Sequence, residues 1–385
     1  MSDSTSDTRP GSVCHLEWFI NSRCDYTCRR CVPEASVQDK PDLGLEACAE
    51  ALYSFVSFAE ETARDAHITF YPRQAEFTDP FLTILDTVRD LKTRGLVKHV
   101  ACAIRGDVPS DKIKLFRNAQ VDALRLTIDG PEAVQDELRR RGSFQDTLAA
   151  MREARDSGIL VIPLVILVEH NAPHVVDTMR MMLDEGFDRL VLQVGIRGDV
   201  GGAGTLAGHH PDPESPWNQL LLASEYRAVL VEALNFLDSV RDRHEEFRTR
   251  FILANPMYAR LLFELGRARE YDQLAAAQAR ASVLPFALKP DGAVVAQQQL
   301  PEIGAFPGGS FKKMFETFHP LRWFRGATQQ DDYMAVKQSA FGKCSSCPVR
   351  SHCKPMLVGV QDRRLFYHPD VHCWVGEGAV DSGQA

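Results

Sequence analysis

Short apolar runs and helically spaced apolar residues alternate along the first half of the chain. The apolar runs predict β-strands at 15–20, 67–71, 97–104, 123–128, 160–168 and 189–196. The helical spacing predicts helices at 45–61, 80–94, 143–156 and 173–185. This repeated alternation predicts an α/β fold with a parallel sheet, either open or closed into a partial barrel.

The second half of the chain follows a different pattern. Residues 198–216 are rich in Gly, Pro and His, which is typical of a linker, and helices are predicted at 224–242 and 257–279. A turn at Pro290-Asp291-Gly292 predicts a β-hairpin from 283–289 and 293–297. We therefore expect four segments: a disordered tail 1–13, an α/β domain 14–215, a helical bridge 216–280 and a small α+β domain 281–385.

The amino-acid composition limits the binding partners and the cellular compartment that we expect for this protein. Of the 385 residues, 44% are hydrophobic and 25% charged, as in ordinary globular proteins. The formal net charge of −8 disfavours nucleic acid or an anionic membrane as a partner. Because the sequence shows neither an apolar run long enough for a membrane span nor an export signal, we expect a cytoplasmic protein. In that reducing compartment, clustered cysteines favour metal binding over disulfides.

Three cysteines follow the first predicted strand at the spacing C-x3-C-x2-C: Cys24, Cys28 and Cys31. Three thiolates this close together can ligate three irons of a cubane 4Fe-4S cluster and leave the fourth iron open to another ligand. A zinc site is the structural alternative, although zinc usually takes a fourth nearby Cys or His. The spacing therefore predicts a reactive iron–sulfur centre.

This motif, at the start of six β/α units, resembles that of the radical S-adenosylmethionine (SAM) superfamily. The resemblance implies a partial (β/α)6 barrel in which SAM chelates the open iron. An electron from the reduced cluster then cleaves SAM to a 5′-deoxyadenosyl radical, which abstracts a substrate hydrogen. It also implies an electron donor such as flavodoxin or ferredoxin.

The resemblance also assigns SAM contacts near the first two strands. Arg30 stands where family members usually have an aromatic residue near the adenine, and a guanidinium can also stack on a purine. After the second strand, relatives usually carry a Gly-Gly-Glu-Pro segment that receives the SAM amino group. Residues 70–76 differ from it, and either Gln74 or Glu76 takes the position of the glutamate.

The fourth strand and the helix after it resemble SPASM-type radical SAM enzymes, whose usual pattern is S-x-D-G…D-x-x-R-x-x-G-S-F. The matching segments are 127–130 and 136–144. The resemblance implies SAM contacts by Thr127, which keeps the usual hydroxyl, by Asp129 and by Arg139, whose guanidinium suits the methionine carboxylate. Asp129-Gly130 is also typical of a plain turn or helix N-cap.

Four cysteines near the end of the chain resemble the C-terminal SPASM domain, which usually houses two auxiliary 4Fe-4S clusters: Cys344, Cys347, Cys353 and Cys373. Relatives have further cysteines, near residues 296–299 and Leu357 here, and these ligate the inner auxiliary cluster. The resemblance therefore implies one auxiliary cluster, ligated by all four cysteines and closed to substrate. A four-cysteine zinc site is the alternative.

Three cysteines remain outside these motifs: Cys14, Cys48 and Cys102. Cys102 lies in the third predicted strand, where an inward thiol could donate a hydrogen atom to a substrate radical. We expect instead that each of the three is a small, buried apolar residue.

The resemblance covers residues 14–375 and implies an oxidoreductase-type enzyme of natural product biosynthesis. The first hypothesis is a maturase that crosslinks or epimerises a ribosomal peptide. Because residues 1–13 are too short for the peptide-binding domain that such enzymes often carry, we expect leader recognition to come from a separate leader-peptide-binding protein or from another surface. The second hypothesis is a dehydrogenase, epimerase or dehydratase that acts on an aminosugar or aminocyclitol. The third is a non-catalytic cysteine-rich metal protein.

Overall fold

The computed structural model describes residues 12–22, 41–72, 77–106, 108–187, 189–194, 221, 223–240, 251–253, 257–273, 283–296, 302–318, 347, 356–361 and 364–368. The chain forms two compact units. The first comprises residues 1–165 and 280–322, and the second comprises residues 166–279 and 323–385. No described helix is long and apolar enough to cross a membrane.

The strands of the described residues are β1 (Val13–Phe19), β2 (Asp65–Tyr71), β3 (His99–Ile104), β4 (Ala123–Thr127), β5 (Leu160–Leu167), β6 (Leu190–Val194), β7 (Phe251–Leu253), β8 (Val283–Leu288), β9 (Ala293–Val295), β10 (Glu302–Ala305), β11 (Met356–Gln361) and β12 (Arg364–His368). The α-helices are α1 (Leu45–Glu61), α2 (Asp79–Thr93), α3 (Ser110–Asn118), α4 (Glu132–Leu138), α5 (Ser143–Asp156), α6 (Val175–Asp184), α7 (Ala223–Ser239), α8 (Met257–Glu264) and α9 (Phe311–Phe318).

The sheet of the first unit is parallel over its first five strands. Strands β1 to β5 pair in chain order, each parallel to the next. Helices connect successive strands, as the alternating pattern predicts, so the prediction of an α/β fold with a parallel sheet is confirmed. In the second unit, β6 and β7 pair in parallel and β11 and β12 pair in antiparallel orientation.

Strand β8 lies on the other side of β1 and is parallel to it, with Val13 opposite Val283. The predicted hairpin is present, because β8 and β9 pair in antiparallel orientation around the turn at Gly292. Gly292 has a φ of +89°, and a Cβ there would lie 2.2 Å from a backbone oxygen. Residues 283–305 therefore extend the sheet of the first unit, whereas the sequence assigned them to the segment 281–385.

Helix α8 is shorter than the predicted helix 257–279. It ends at Glu264, and Gly266 follows with a φ of +66°. The Arg267 N–H donates to the Leu262 carbonyl at 2.9 Å, which closes the helix end as in a Schellman motif. Residues 274–279 of this prediction lie outside the described residues.

One face of the first unit's sheet is apolar and packs against helices. Phe70 of β2 contacts Phe81 of α2 edge to face, and Phe286 of β8 contacts Phe58 of α1. Trp18, on the same face of β1, packs against Phe70. All five side chains are fully or almost fully buried, so this face forms the core.

The opposite face, called here the inner face, carries polar side chains. His15, His67 and His99 occupy one row across β1, β2 and β3. His15 Nε2 lies 2.9 Å from Thr69 Oγ1, and the His67 and His99 rings lie 5.3 Å apart. Among the described residues, no group of three His, Cys, Asp or Glu side chains is arranged to hold a metal ion. The row is therefore a set of packed histidines.

Burial lowers the pKa of all three histidines below the ordinary value. His15 is affected most: burial, followed by repulsion from Arg125 and the other two histidines, lowers its pKa to about 4. These imidazoles are therefore neutral in the folded protein at neutral pH.

We predict that the row makes stability fall in mild acid. A group whose pKa is lower in the folded protein binds more protons in the unfolded chain. Its contribution to stability is therefore fully present above the pKa of the unfolded state and is lost as the pH falls toward the pKa of the folded state. His15→Gln should reduce the loss of unfolding free energy between pH 7 and pH 4.5 by roughly 1–3 kcal/mol. Urea unfolding followed by circular dichroism measures it. An unchanged slope in His15→Gln contradicts the prediction.

Candidate functional site

The three-cysteine motif and Arg30 lie in segment 23–40, outside the described residues. The described residues on both sides of that segment are tied together, because the Ser22 N–H donates to Asp42 Oδ1 at 2.8 Å. The segment therefore leaves and re-enters the fold just beyond the carboxyl end of β1. Ligands of parallel α/β sheets bind at this end of the strands. This placement, and a donor set of three thiols, fit a cluster with one open iron.

The carboxyl end of β2 lies at the same edge of the sheet. Strand β2 ends at Tyr71, and the described chain resumes at Phe77. Gln74 and Glu76, the two alternatives for the SAM amino group, lie between them and outside the described residues. Their assignment stays a prediction.

Asp129 and Arg139 form a buried ion pair just beyond the carboxyl end of β4. The Arg139 Nε donates to Asp129 Oδ2 at 2.7 Å. The arginine side chain is 8% exposed and the aspartate side chain is fully buried. A buried charge needs such a partner, because an unpaired one costs several kcal/mol. The structure thus brings two of the predicted SAM contacts together, and Asp129 orients the guanidinium.

Gln135 of α4 links this ion pair to the neighbouring segments. Its side-chain oxygen accepts from the Asp129 N–H at 2.6 Å, and its Nε2 donates to Ser143 Oγ at 3.2 Å. Gln135 is completely buried. The side-chain amide of Gln135 therefore connects the turn after β4 to the start of α5.

Asp136 caps α5 from the preceding helix. Gly142, which precedes α5, has a φ of +81° and no side chain to cap the helix. The Asp136 carboxylate caps it instead, because it accepts hydrogen bonds from the N–H groups of Gly142 at 2.6 Å and Phe144 at 2.8 Å. The D-x-x-R-x-x-G-S-F pattern is therefore a folding motif that supports Arg139.

Thr127 and a polar cluster lie on the inner face. The Tyr71 hydroxyl donates to Glu17 Oε1 at 3.3 Å, and the Arg125 side chain lies near this hydroxyl. Small Ala103 lies beside Arg125 on the neighbouring strand and leaves room for the long side chains to converge. Burial, with Glu17 adding to it, raises the pKa of Tyr71, so the phenol stays neutral. Half-buried donors and acceptors of this kind suit a polar ligand.

Cys102 does not face this polar cluster. It aligns with Phe70 and Leu124 on the helix-covered face and is completely buried. A hydrogen donor to the substrate would have to point toward the inner face. Because side chains alternate along a strand, Cys102 points away from that face. Burial also raises the pKa of the Cys102 thiol. Cys14 and Cys48 are likewise buried, as expected.

Cys347 is the one predicted auxiliary ligand among the described residues; Cys344, Cys353 and Cys373 lie outside them. Arg260 Nη1 donates to Cys347 Sγ at 3.8 Å. Hydrogen bonds to the sulfur of a ligating cysteine are typical of iron–sulfur sites. The surroundings of Cys347 therefore fit a metal ligand.

Sequence reasoning missed the polar inner face, although a signal for it exists. Strands of a parallel sheet that is covered on both faces read as continuous apolar runs. In β1, His15 and Glu17 interrupt that run at every second position, as His67 and Thr69 do in β2. This alternation indicates a sheet with one face lining a polar space. Nothing in the sequence marks Arg260 as a neighbour of Cys347.

Residues 18–193 match the family model described as the radical SAM superfamily. The match begins in β1, ends in β6 and includes the C-x3-C-x2-C motif together with Asp129 and Arg139. A comparison with curated protein sequences gave no match.

Several solved structures have a similar fold. Native anSMEcpe with bound S-adenosylmethionine has a TM-score of 0.61 at 14% identity, over 89% of this chain and 88% of that chain. SuiB from Streptococcus suis bound to S-adenosylmethionine has a TM-score of 0.56 at 9% identity, over 90% and 73%. SuiB bound to the precursor peptide SuiA has a TM-score of 0.53 at 11% identity, over 90% and 72%. The prediction of a partial radical SAM barrel is thus confirmed, and residues 18–193 match the radical SAM superfamily.

Proposed function

We propose that this enzyme matures a ribosomal peptide by abstracting a hydrogen atom from it, as an oxidoreductase-type radical SAM enzyme. The observation that supports the proposal is that Ser22 and Asp42, which flank the three-cysteine segment, are hydrogen-bonded just beyond the carboxyl end of β1, at the sheet edge where the Asp129–Arg139 pair also lies. The family implies a 4Fe-4S cluster and SAM.

Each predicted SAM contact has a role in this proposal. When bound, the cluster and SAM supply the 5′-deoxyadenosyl radical that takes the substrate hydrogen. Cys24, Cys28 and Cys31 hold the cluster. Arg139, oriented by Asp129, binds the methionine carboxylate.

The remaining predicted SAM contacts complete the proposed site. Thr127 adds a hydroxyl at the end of β4, and Arg30 stacks on the adenine. Gln74 or Glu76 accepts from the amino group.

A peptide substrate is supported by the similar structures and by the inner face. One similar structure is that of SuiB with a precursor peptide, and another is anSMEcpe with the Cp18Cys peptide. The Glu17–Tyr71–Arg125 cluster offers both donors and acceptors, which amide groups of a peptide can match. The same cluster also suits hydroxyl and amino groups, which keeps an aminosugar or aminocyclitol as the second candidate.

We further propose one auxiliary 4Fe-4S cluster held by Cys344, Cys347, Cys353 and Cys373. With four thiolate ligands it has no open iron, so it relays an electron and does not bind substrate. A flavodoxin or ferredoxin would supply the reducing electron. A separate protein would bind the leader peptide.

The first test uses protein reconstituted with iron and sulfide, with dithionite, SAM and either a deuterated candidate precursor peptide or a deuterated aminocyclitol. We expect 5′-deoxyadenosine that carries deuterium from the peptide. Cys28→Ala should reduce its formation to the protein-free background, because it removes one of three cluster ligands. Cys48→Ala, which removes a buried thiol of α1, is the control and should retain it. Deuterium transfer from an aminocyclitol and not from the peptide would favour the second candidate, and no 5′-deoxyadenosine from the wild type would contradict both.

The second test concerns Arg139. Arg139→Lys keeps the charge beside Asp129 but loses the planar fork that suits a carboxylate, so the Kd for SAM should rise roughly 10- to 100-fold. Anaerobic equilibrium dialysis with labelled SAM measures it. Arg140→Lys, whose side chain pairs with Asp146 at the surface, should bind SAM like the wild type. Equal Kd values for Arg139→Lys and the wild type would show that Arg139 has a purely structural role.

A further inference from the structure

One buried residue contacts all three of the predicted SAM contacts beside β4. Gln135 of α4 accepts through Oε1 from the Asp129 N–H at 2.6 Å, and its Nε2 donates to the Thr127 carbonyl at 3.5 Å. The backbone carbonyl of Gln135 accepts from the Arg139 N–H at 3.0 Å. Thr127 and Asp129 precede Gln135 in the chain and Arg139 follows it, so a single residue connects the three.

Packing alone does not explain a glutamine at this position. Gln135 is completely buried, and the other two buried residues of α4, Val134 and Leu138, are apolar. An amide is costly to bury unless its N–H and C=O groups are hydrogen-bonded, whereas an apolar side chain would fill the space without that requirement. The hydrogen bonds of the Gln135 amide therefore account for the glutamine.

The attachment of α4 to α5 does not depend on Gln135 alone. Asp136, the next residue, caps α5 by accepting from the N–H groups of Gly142 and Phe144. The shortest hydrogen bond of the Gln135 side chain goes instead to the turn after β4, where it holds the backbone of Asp129. The two residues therefore have different roles, and that of Gln135 includes the end of the strand.

The position of Asp129 sets the orientation of the Arg139 guanidinium. Arg139 follows the last residue of α4 and has φ −116° and ψ −81°, which is not a helical conformation. Its Nε donates to Asp129 Oδ2 at 2.7 Å, and the two side chains are 8% and 0% exposed. Because the guanidinium is planar, a hydrogen bond through Nε restricts the direction of the whole group. By holding the Asp129 backbone, Gln135 therefore fixes the carboxylate that orients Arg139.

We propose that Gln135 is a positioning residue for SAM, which holds Asp129 so that the Arg139 guanidinium faces the methionine carboxylate. The inference rests on the role of Arg139 in the proposed function. Gln135 acts through Arg139 and does not contact SAM itself, and no bond forms or breaks at Gln135. Its loss therefore weakens the binding of SAM and leaves the chemical step unchanged once SAM is bound.

The experiment is a double-mutant cycle of Gln135→Met and Arg139→Lys in the full-length protein reconstituted with iron and sulfide. Anaerobic equilibrium dialysis with labelled SAM gives the Kd. Gln135→Met keeps the size of the side chain and removes its hydrogen bonds, so the Kd should rise roughly tenfold. In the Arg139→Lys background the same substitution should change the Kd by less than about twofold, because the contact through which Gln135 acts is already lost.

Steady-state kinetics and two controls separate positioning from a loss of stability. In Gln135→Met, the KM for SAM in 5′-deoxyadenosine formation should rise with the Kd, and kcat should stay within about twofold. Gln145→Met makes the same substitution at an exposed position of α5. Met151→Ala removes a completely buried side chain further along α5 and should lower the stability to urea. Both controls should keep the wild-type Kd.

The outcomes distinguish this inference from the proposed function. If Gln135→Met does not fold, Gln135→Asn takes its place in the cycle with the same expectation, because it keeps the amide but is one CH2 group shorter. A wild-type Kd in that variant, together with a raised Kd in Arg139→Lys, would overturn the inference and leave the proposed function intact. Full additivity of the two substitutions, or an equal rise of the Kd in Met151→Ala, would also overturn it. No binding of SAM by the wild type would overturn the proposed function, and this inference with it.

Discussion

Parallel pairing of β1 with β2 on one side and β8 on the other is the constraint on which the rest of the first unit depends. Parallel strands bring all their carboxyl ends to one edge of the sheet. The three-cysteine segment leaves β1 at that edge, and Asp129 follows β4 at the same edge. Described residues far apart in sequence, such as Ser22 and Asp129, therefore lie at the same edge of the sheet.

The same pairing gives the sheet two different faces. Side chains at alternate positions are packed against α1 and α2, and they include Trp18 and Phe70. The intervening positions carry Glu17, Tyr71 and Arg125 on the inner face. One face supplies the stability that holds the strands in register, and the other is left to polar contacts. His15, His67 and His99 of the neighbouring row are neutral at neutral pH, so they add no charge to the inner face.

Long, strongly periodic elements could be predicted from the sequence, and the contacts between side chains could not. Helix α1 spans the predicted residues 45–61 because its apolar stripe is long and ends before a turn. Helix α4 has seven residues, too few for periodicity to distinguish it from a loop. Asp129 and Arg139 were predicted as SAM contacts, but their ion pair depends on how α4 folds back on β4. The contact between Arg260 and Cys347 joins residues of distant segments, and no local pattern specifies it.

The proposed function requires that the three-cysteine cluster has an open iron that SAM occupies. Electron paramagnetic resonance of the dithionite-reduced protein, recorded before and after addition of saturating SAM, tests this most directly. Because SAM would add ligands to one iron, the account predicts that the signal of the reduced cluster shifts on addition of SAM, and that the shift is absent in Cys28→Ala. A wild-type spectrum that SAM leaves unchanged would contradict the account.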